Sequence, residues 1–296
     1  MHQSGFVNII GRPNVGKSTL MNALVGERMS IITNKPQTTR HRIIGLVSGE
    51  SYQAVFSDTP GVIDDPAYRM QESMNQFALS AFEDADIMMF VTEPGEHYAD
   101  DDPIIQRLRD VKAPLFLVIN KIDTVDDGKV LELIKLWNDR IAFTETIPIS
   151  ALRKLNTERL MEVIMNYLPE GPAYYPKDQL TDRPERFFIS EIIREKILLL
   201  YQQEIPYSCE VIVTSFKDGE TKKGEPLVRI GAEIFVARKT QKSIIIGKGG
   251  SAIKKLGMEA RKSIEEWLES KVFLELHVKV KDNWRDDERS LKHFGY

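Results

Sequence analysis

Cysteine is almost missing from this 296-residue chain: Cys209 is the one present, so no disulfide can form within it, which fits a reducing cytosol. The flanking Glu210-Val211-Ile212-Val213 reads as a strand, so Cys209 is expected as a buried, inert thiol. Long apolar runs are missing too. None approaches the roughly 20 residues that a membrane span needs. Met1-His2-Gln3-Ser4-Gly5 has no basic region ahead of an apolar core, no glycine follows Met1, and no cysteine lies near the C-terminus. Neither a secretory signal nor a common lipid anchor is therefore expected, while a peripheral membrane contact stays open. Charge of one sign does not dominate either. With 40 basic and 44 acidic residues the net charge is −4, which excludes a protein that coats nucleic acid over its whole surface and leaves room for a local basic patch. His41, His97 and the other histidines lack metal-ligand spacing, so no transition-metal site is expected. Internal repeats and low-complexity tracts are absent.

What is present is an ordinary globular composition, 42% apolar and 28% charged, in a chain long enough for two domains. Short apolar runs at 6–10, 52–56, 87–91, 115–119 and 147–149 are bounded by Gly, Pro and polar residues and read as buried strands. Amphipathic stretches such as 131–137 and 155–167 lie between them. Alternating strands and helices imply an α/β domain with a mostly parallel sheet. The pattern breaks at Leu168-Pro169-Glu170-Gly171-Pro172 and again at Pro176, where prolines and a glycine end any helix. We therefore expect a first domain over 1–172, a linker over 173–183 and a smaller α+β domain over 184–296. The last part reads helix (189–201), strand (209–216), strand (227–237), short helix (242–246), helix (251–268), strand (272–280), with a polar, Gly-containing turn between the first two strands. Ile253, Leu256, Ala260, Ile264 and Trp267 fall at steps of three and four, on one helical face.

Gly11-Arg12-Pro13-Asn14-Val15-Gly16-Lys17-Ser18-Thr19 follows an expected strand and opens an expected helix, the context in which this pattern forms a phosphate-binding loop. Its glycines let backbone N–H groups turn toward phosphate oxygens, and the helix N-terminus adds a positive dipole end. Lys17 is expected at the β- and γ-phosphates as a catalytic group, and the Ser18 hydroxyl on Mg²⁺. Asp58-Thr59-Pro60-Gly61 follows the second run. Its carboxylate suits Mg²⁺, and Gly61 lets a backbone N–H approach the γ-phosphate. Asn120-Lys121-Ile122-Asp123 follows the fourth run. The two oxygens of Asp123 match the N1–H and N2–H₂ donors of guanine, an edge adenine lacks, so GTP and GDP are expected rather than ATP. Ser150-Ala151-Leu152 follows the fifth run and offers a backbone N–H to the guanine O6. Each segment sits at the C-terminal end of a strand, where open α/β sheets bind ligands.

With these motifs in order, the chain resembles the translation-factor-related P-loop GTPases. Lys35-Pro36-Gln37-Thr38-Thr39-Arg40-His41-Arg42 is similar to the first switch loop of the Era family of bacterial ribosome-assembly GTPases. The resemblance implies that Thr38 or Thr39 supplies a hydroxyl to Mg²⁺ when GTP is bound, with Thr39 preferred. Val62 stands after Gly61, where signalling GTPases place the glutamine that orients water, so slow intrinsic hydrolysis is expected. Asn14 raises K⁺ as a second cation, since some relatives with Asn there bind it beside the phosphates.

Ile244-Ile245-Ile246-Gly247-Lys248-Gly249-Gly250-Ser251 joins two expected helices and matches the Gly-X-X-Gly loop of KH domains, which clamps a single-stranded RNA backbone. The order of elements matches the type II KH arrangement. Arg238, Lys239, Lys242, Lys254, Lys255, Arg261 and Lys262 supply basic charge nearby. Candidate RNA contacts are Ile244, Ile245, Gly247, Lys248, Gly249, Gly250 and Lys254. Ile244 and Ile245 read either as apolar support beneath bases or as core, and Ile253 is assigned to the core. Trp284 with Arg285 either stacks on RNA or closes the domain. A GTPase followed by a KH domain is the architecture of the Era family, and the resemblance covers essentially the whole chain. It implies a monomer that binds the 3′ end of 16S ribosomal RNA and assists maturation of the 30S subunit. It also implies a cytoplasmic location, with peripheral association at the inner face of the membrane left open.

Overall fold

The structure, a computed structural model, describes residues 1–221 and 223–296. Lys222, in the turn expected between two C-terminal strands, lies outside the described residues. Contacts divide the chain into two compact units: Met1–Pro66 with Gln71–Asp182, and Ala67–Met70 with Arg183–Tyr296.

In the first unit, β1 (Gln3–Ile10), β3 (Tyr52–Asp58), β4 (Ile87–Thr92), β5 (Leu115–Ile119) and β6 (Glu145–Pro148) realise the apolar runs as parallel neighbours, and β2 (Ile43–Ser48) joins the edge antiparallel to β3. The sheet order is β2-β3-β1-β4-β5-β6. Strands β4 and β5 are buried along their whole length, as expected of strands covered on both faces. The helices are α1 (Lys17–Val25), α2 (Arg69–Ser80), α3 (Pro103–Asp110), α4 (Asp127–Arg140) and α5 (Thr157–Tyr167). Residues 131–137 thus form the middle of a longer α4, because Asp126 caps it early by accepting the Lys129 N–H at 2.9 Å. Phe90, Tyr98 and Trp137 meet edge to face at 5.2–5.5 Å, joining β4, α4 and the loop after β4 into one aromatic cluster. The parallel order β3-β1-β4 brings the C-terminal ends of these strands, and the loops that follow them, to one edge of the sheet.

The stretch around 173–182 runs against the β2–β3 edge. The Gln53 side chain accepts from the Tyr174 and Tyr175 N–H groups at 2.8 and 3.0 Å and donates to the Tyr175 carbonyl at 2.9 Å. Further along, Leu46 N–H donates to the Leu180 carbonyl at 2.8 Å, and the Thr181 hydroxyl donates to the Ile44 carbonyl at 2.7 Å. The prolines prevent a helix here, but they leave enough backbone groups to be held by an exposed strand edge.

The second unit runs α6 (Glu185–Leu200), β7 (Cys209–Glu220), β8 (Pro226–Val236), α7 (Lys239–Ile246), α8 (Ser251–Leu268), β9 (Val272–Val280) and α9 (Glu288–Phe294). β7 and β8 are antiparallel, β8 and β9 parallel. Alternate residues such as Val211, Ile230, Ile234, Val272 and Val278 join Ile192, Ile193, Leu256 and Ile264 in one core. Cys209 lies in that core, its thiol donating to the Ile205 carbonyl at 3.0 Å, as an inert buried thiol would. Trp284 closes the domain. It is 0% exposed, meets Phe294 of α9 edge to face at 5.2 Å and donates its indole N–H to the Ser208 carbonyl at 3.1 Å. A side chain so enclosed offers no face to RNA. Trp284→Ala is expected to lower the unfolding free energy of this unit by about 3–5 kcal/mol, the usual cost of emptying a buried tryptophan site. Calorimetric unfolding checks this, and a loss below about 1 kcal/mol would contradict the packing described.

Candidate functional site

The loop between β1 and α1 turns through Gly16, whose left-handed φ of 95° a side chain would strain. That turn starts α1 at Lys17 and points the first helical N–H groups into the cavity beside it. The cavity measures about 800 Å³ and is walled by Arg12, Pro13, Asn14, Gly16, Lys17, Ser18, Thr19, Thr38, Thr39, Thr59, Gly61, Asn120, Lys121, Asp123, Ser150 and Leu152, among others. Five expected residues, Gly11, Val15, Asp58, Pro60 and Ala151, stand behind this wall. Val15 is fully buried, and the Thr59 hydroxyl donates to the Ile9 carbonyl at 2.8 Å, so these two side chains secure the loops while only their backbones can face a ligand.

Lys17 is nearly buried, and its ammonium donates to the Gly11 and Arg12 carbonyls at 2.9 and 2.8 Å. Burial lowers its pKa to about 8, against the opposing pull of the Asp58 and Glu96 charges. An arriving phosphate supplies the counter-charge this ammonium lacks. Asp58, at the end of β3, is fully buried. Its Oδ2 accepts from the Ser18 hydroxyl at 2.7 Å, and the Thr39 hydroxyl stands 2.9 Å from Ser18 Oγ and 3.5 Å from Asp58 Oδ2. Asp58 Oδ1 has no hydrogen-bond partner. Burial raises the Asp58 pKa, opposed by the Ser18 hydrogen bond and the Lys17 charge. A buried carboxylate with two hydroxyls converging on Oδ2 and with Oδ1 unpartnered fits a hard, oxygen-preferring cation such as Mg²⁺. No cluster of three His, Cys, Asp or Glu side chains occurs among the described residues; this donor set is built on hydroxyls with one carboxylate. The geometry also separates the two threonines. The Thr38 hydroxyl is engaged locally, 2.6 Å from both Thr33 Oγ1 and the Lys35 carbonyl, while Thr39 turns to Ser18 and Asp58.

At the other end, Asn120 ties the loops together. Its Nδ2 donates to the Val15 carbonyl at 2.9 Å, and its Oδ1 accepts the Ala151 N–H at 2.9 Å. Of the backbone N–H groups in the Ser150–Leu152 segment, that of Ala151 is thus engaged by Asn120 and that of Ser150 by the Leu155 carbonyl at 3.1 Å. Lys121 donates to the Asn14 carbonyl at 2.7 Å and pairs with Glu93. Asp123 faces the cavity, its nearest cation being Arg153 at 3.9 Å.

In the second unit, Gly247, Lys248, Gly249 and Gly250 form the connection between α7 and α8, with positive φ at the three glycines. Lys248, Gly249 and Lys254 are exposed, and Ile244 is 50% exposed. Ile245 corrects the expectation of an RNA contact. It is 0% exposed within the domain core, and its carbonyl accepts from the Tyr201 hydroxyl at 2.8 Å. The two isoleucines are adjacent on a helix, so when one faces the core its neighbour points about 100° away. Ile253 packs against the core, as expected. Sequence reading did not find the residues of the loop after β4 that hold the phosphate loop, Tyr98 and Asp102 on Arg12 directly and Glu93 through Lys121, since no local pattern marks them.

Comparison with known proteins accords with both units. Residues 6–121 match the family described as 50S ribosome-binding GTPase, and residues 204–285 match the KH domain family. The chain is 46% identical to GTPase Era of Syntrophus aciditrophicus (strain SB) over all of its own length and 96% of that protein. It is equally similar to GTPase Era of Clostridium botulinum (strain Langeland), covering 99% of that protein. Among solved structures it is similar to Era in complex with MgGDPNP and nucleotides 1506–1542 of 16S ribosomal RNA, with TM-score 0.93, 37% identity and coverage of 100% and 99% of the two chains. It is also similar to an Aquifex aeolicus Era variant bound to GDP·AlF4⁻, with TM-score 0.92 and 38% identity over 99% of each chain. A P-loop GTPase unit followed by a type II KH unit, matched over the full length by these relatives, means that this chain belongs to the Era family of GTPases.

Proposed function

We propose that this protein binds GTP with Mg²⁺, hydrolyses it to GDP and phosphate, and uses its KH unit to hold single-stranded RNA near the 3′ end of 16S ribosomal RNA during maturation of the small subunit. The observation that carries the nucleotide part is the buried Asp58 carboxylate with one open oxygen, set against Ser18 and Thr39 at the foot of the phosphate loop. The RNA part is supported by the Gly247–Gly250 loop, exposed at Lys248 and Gly249, and by the full-length similarity to an Era bound to such RNA.

Ser18, Thr39 and Asp58 would hold the cation, whose positive charge offsets the charge that develops on the β- and γ-phosphate oxygens. Lys17 moves its ammonium from the Gly11 and Arg12 carbonyls to phosphate oxygens. Backbone N–H groups of the loop between Gly11 and Ser18 would donate to the remaining oxygens. The Gly61 N–H, next to Pro13, lies where the terminal phosphate would end. In hydrolysis, water adds to the γ-phosphorus while its bond to the bridging oxygen breaks, giving GDP and phosphate. Val62 lines the cavity without a group that can orient that water. Turnover therefore rests on positioning and charge, and is slow for the protein alone. K⁺ beside Asn14 would add charge at the same place. The same reading has the working protein act in the cytosol as a monomer, with a peripheral contact to the inner face of the membrane left open. No described helix is long and apolar enough to cross a membrane.

Asp123→Asn exchanges an acceptor for a donor on the edge that meets guanine N1–H and N2–H₂. GTP affinity should fall roughly 100-fold, about two charge-assisted hydrogen bonds, and xanthosine triphosphate, with a carbonyl at that edge, should bind better than GTP. Competition titration checks this, and unchanged GTP affinity would remove the base reading. Lys17→Ala should abolish measurable turnover, and turnover at the wild-type rate would refute the phosphate assignment. Gly249→Asp tests the RNA surface. Gly249 has φ of 60°, which aspartate tolerates, and no atom lies within 4 Å of an added Cβ, so the variant should fold. Its affinity for a 16S 3′-end oligonucleotide should drop at least about tenfold while GTP binding holds, because a carboxylate meets the phosphate backbone. RNA affinity equal to wild type would place the RNA surface elsewhere.

A further inference from the structure

Arg12 belongs to the phosphate loop, yet its side chain is fixed by residues 85 and 90 positions further along the chain. One guanidinium nitrogen donates to the His97 carbonyl at 2.8 Å, and another pairs with Asp102 at 2.7 Å. The guanidinium carbon lies over the Tyr98 ring, 4.1 Å from its centroid. Both terminal nitrogens and the contact with the ring are thus committed before any ligand enters.

The holder is itself anchored. Tyr98 packs edge to face on Phe90 and Trp137 in the core, and its hydroxyl donates to Glu96 at 2.8 Å. Glu96 also accepts from Thr92, the last residue of β4, at 3.1 Å. Asp102 caps α3 through its other oxygen, which accepts the Ile104 N–H at 2.9 Å. The same loop reaches the phosphate loop a second time, since Glu93 pairs with Lys121, which donates to the Asn14 carbonyl. Asn14 has a left-handed φ of 68°, a conformation that asparagine adopts more readily than most residues. Grips at Arg12 and at Asn14 therefore fix the outer turn of the loop on both sides of Pro13.

We infer that Arg12 is a positioning residue: held by His97, Tyr98 and Asp102, it sets the backbone of the Gly11–Asn14 turn in the shape that receives nucleotide phosphates, and does not ligate them itself. The inference rests on the guanine-nucleotide reading above and deepens it, by adding the 93–102 loop to the nucleotide site. An arginine fork stacked on an aromatic ring is not replaceable by lysine, which keeps the charge and loses both the fork and the plane. A direct phosphate ligand would tolerate lysine far better.

The test measures release of fluorescent GDP and of a fluorescent non-hydrolysable GTP analogue from full-length wild type, Arg12→Ala, Arg12→Lys, Asp102→Asn and the Arg12→Ala/Asp102→Asn double variant. Arg12→Ala and Arg12→Lys should each speed release of both nucleotides roughly tenfold, the scale of a small misplacement of binding groups. Asp102→Asn keeps an acceptor for the α3 cap and should speed release about threefold, and the double variant should match Arg12→Ala, since both changes cut one connection. Wild-type release from Arg12→Lys, a much larger effect on the triphosphate than on GDP, or additive effects in the double variant would each overturn the inference in favour of direct phosphate contact. Should Arg12→Ala lose cooperative thermal unfolding, Asp102→Asn decides alone, and wild-type release from it overturns the inference. Failure of wild type to bind either nucleotide would instead bring down the function proposed above and this inference with it.

Discussion

Asp58 sits at the end of β3 with no solvent exposure, one oxygen taking a hydrogen from Ser18 and the other taking none. Burying an ionised carboxylate costs several kcal/mol unless charge and hydrogen bonds compensate it. Within the protein the compensation is partial. Lys17 lends its charge, itself lowered in pKa by burial, and the hydroxyls of Ser18 and Thr39 stand close by. Anion and cation have both been taken out of water without a full set of partners. Both groups stand at the strand ends, where the loops that wall the cavity converge.

Loops far apart in sequence are tied together there. Asn120 does this at the base end by joining the phosphate loop to the Ser150–Leu152 turn through one amide side chain. Arg12 and Lys121 do it at the outer turn, through ties to the loop after β4. The aromatic cluster of Phe90, Tyr98 and Trp137 carries these ties into the core, so the rigidity of the site derives from packing of β4 and α4. The KH unit is built differently. Its glycine loop joins two helices whose apolar faces, Ile245 and Leu256 among them, are already spent on the core, so the loop carries no large side chain other than Lys248.

Much of this was legible in the sequence because it is local. Five strands, four of them largely buried, show as apolar runs, and four nucleotide motifs sit directly after runs of this kind, since a parallel sheet brings successive strand ends to one edge. The Gly-Lys-Gly-Gly turn and the amphipathic helix after it are local in the same way. Less legible were β2, whose apolar residues follow a polar loop without a break, and the start of α4, which depends on the Asp126 cap. Periodicity could not say whether Ile244 or Ile245 faces the core, because both are equally apolar.

Sequence by itself determined the α/β unit followed by an α+β unit, the loop before α1, the Asp123 carboxylate at the cavity and the glycine loop, since each is encoded by neighbouring residues whose backbone conformation and chemistry go together. Tertiary structure alone decided that Thr39 and not Thr38 meets Ser18 and Asp58, that Trp284 closes the KH core, that Ile245 is buried, and that Arg12 is held by Tyr98 and Asp102. Those outcomes depend on which side chains converge after the sheet is ordered, and contacts across 20 to 90 residues leave no periodic trace in the chain that makes them.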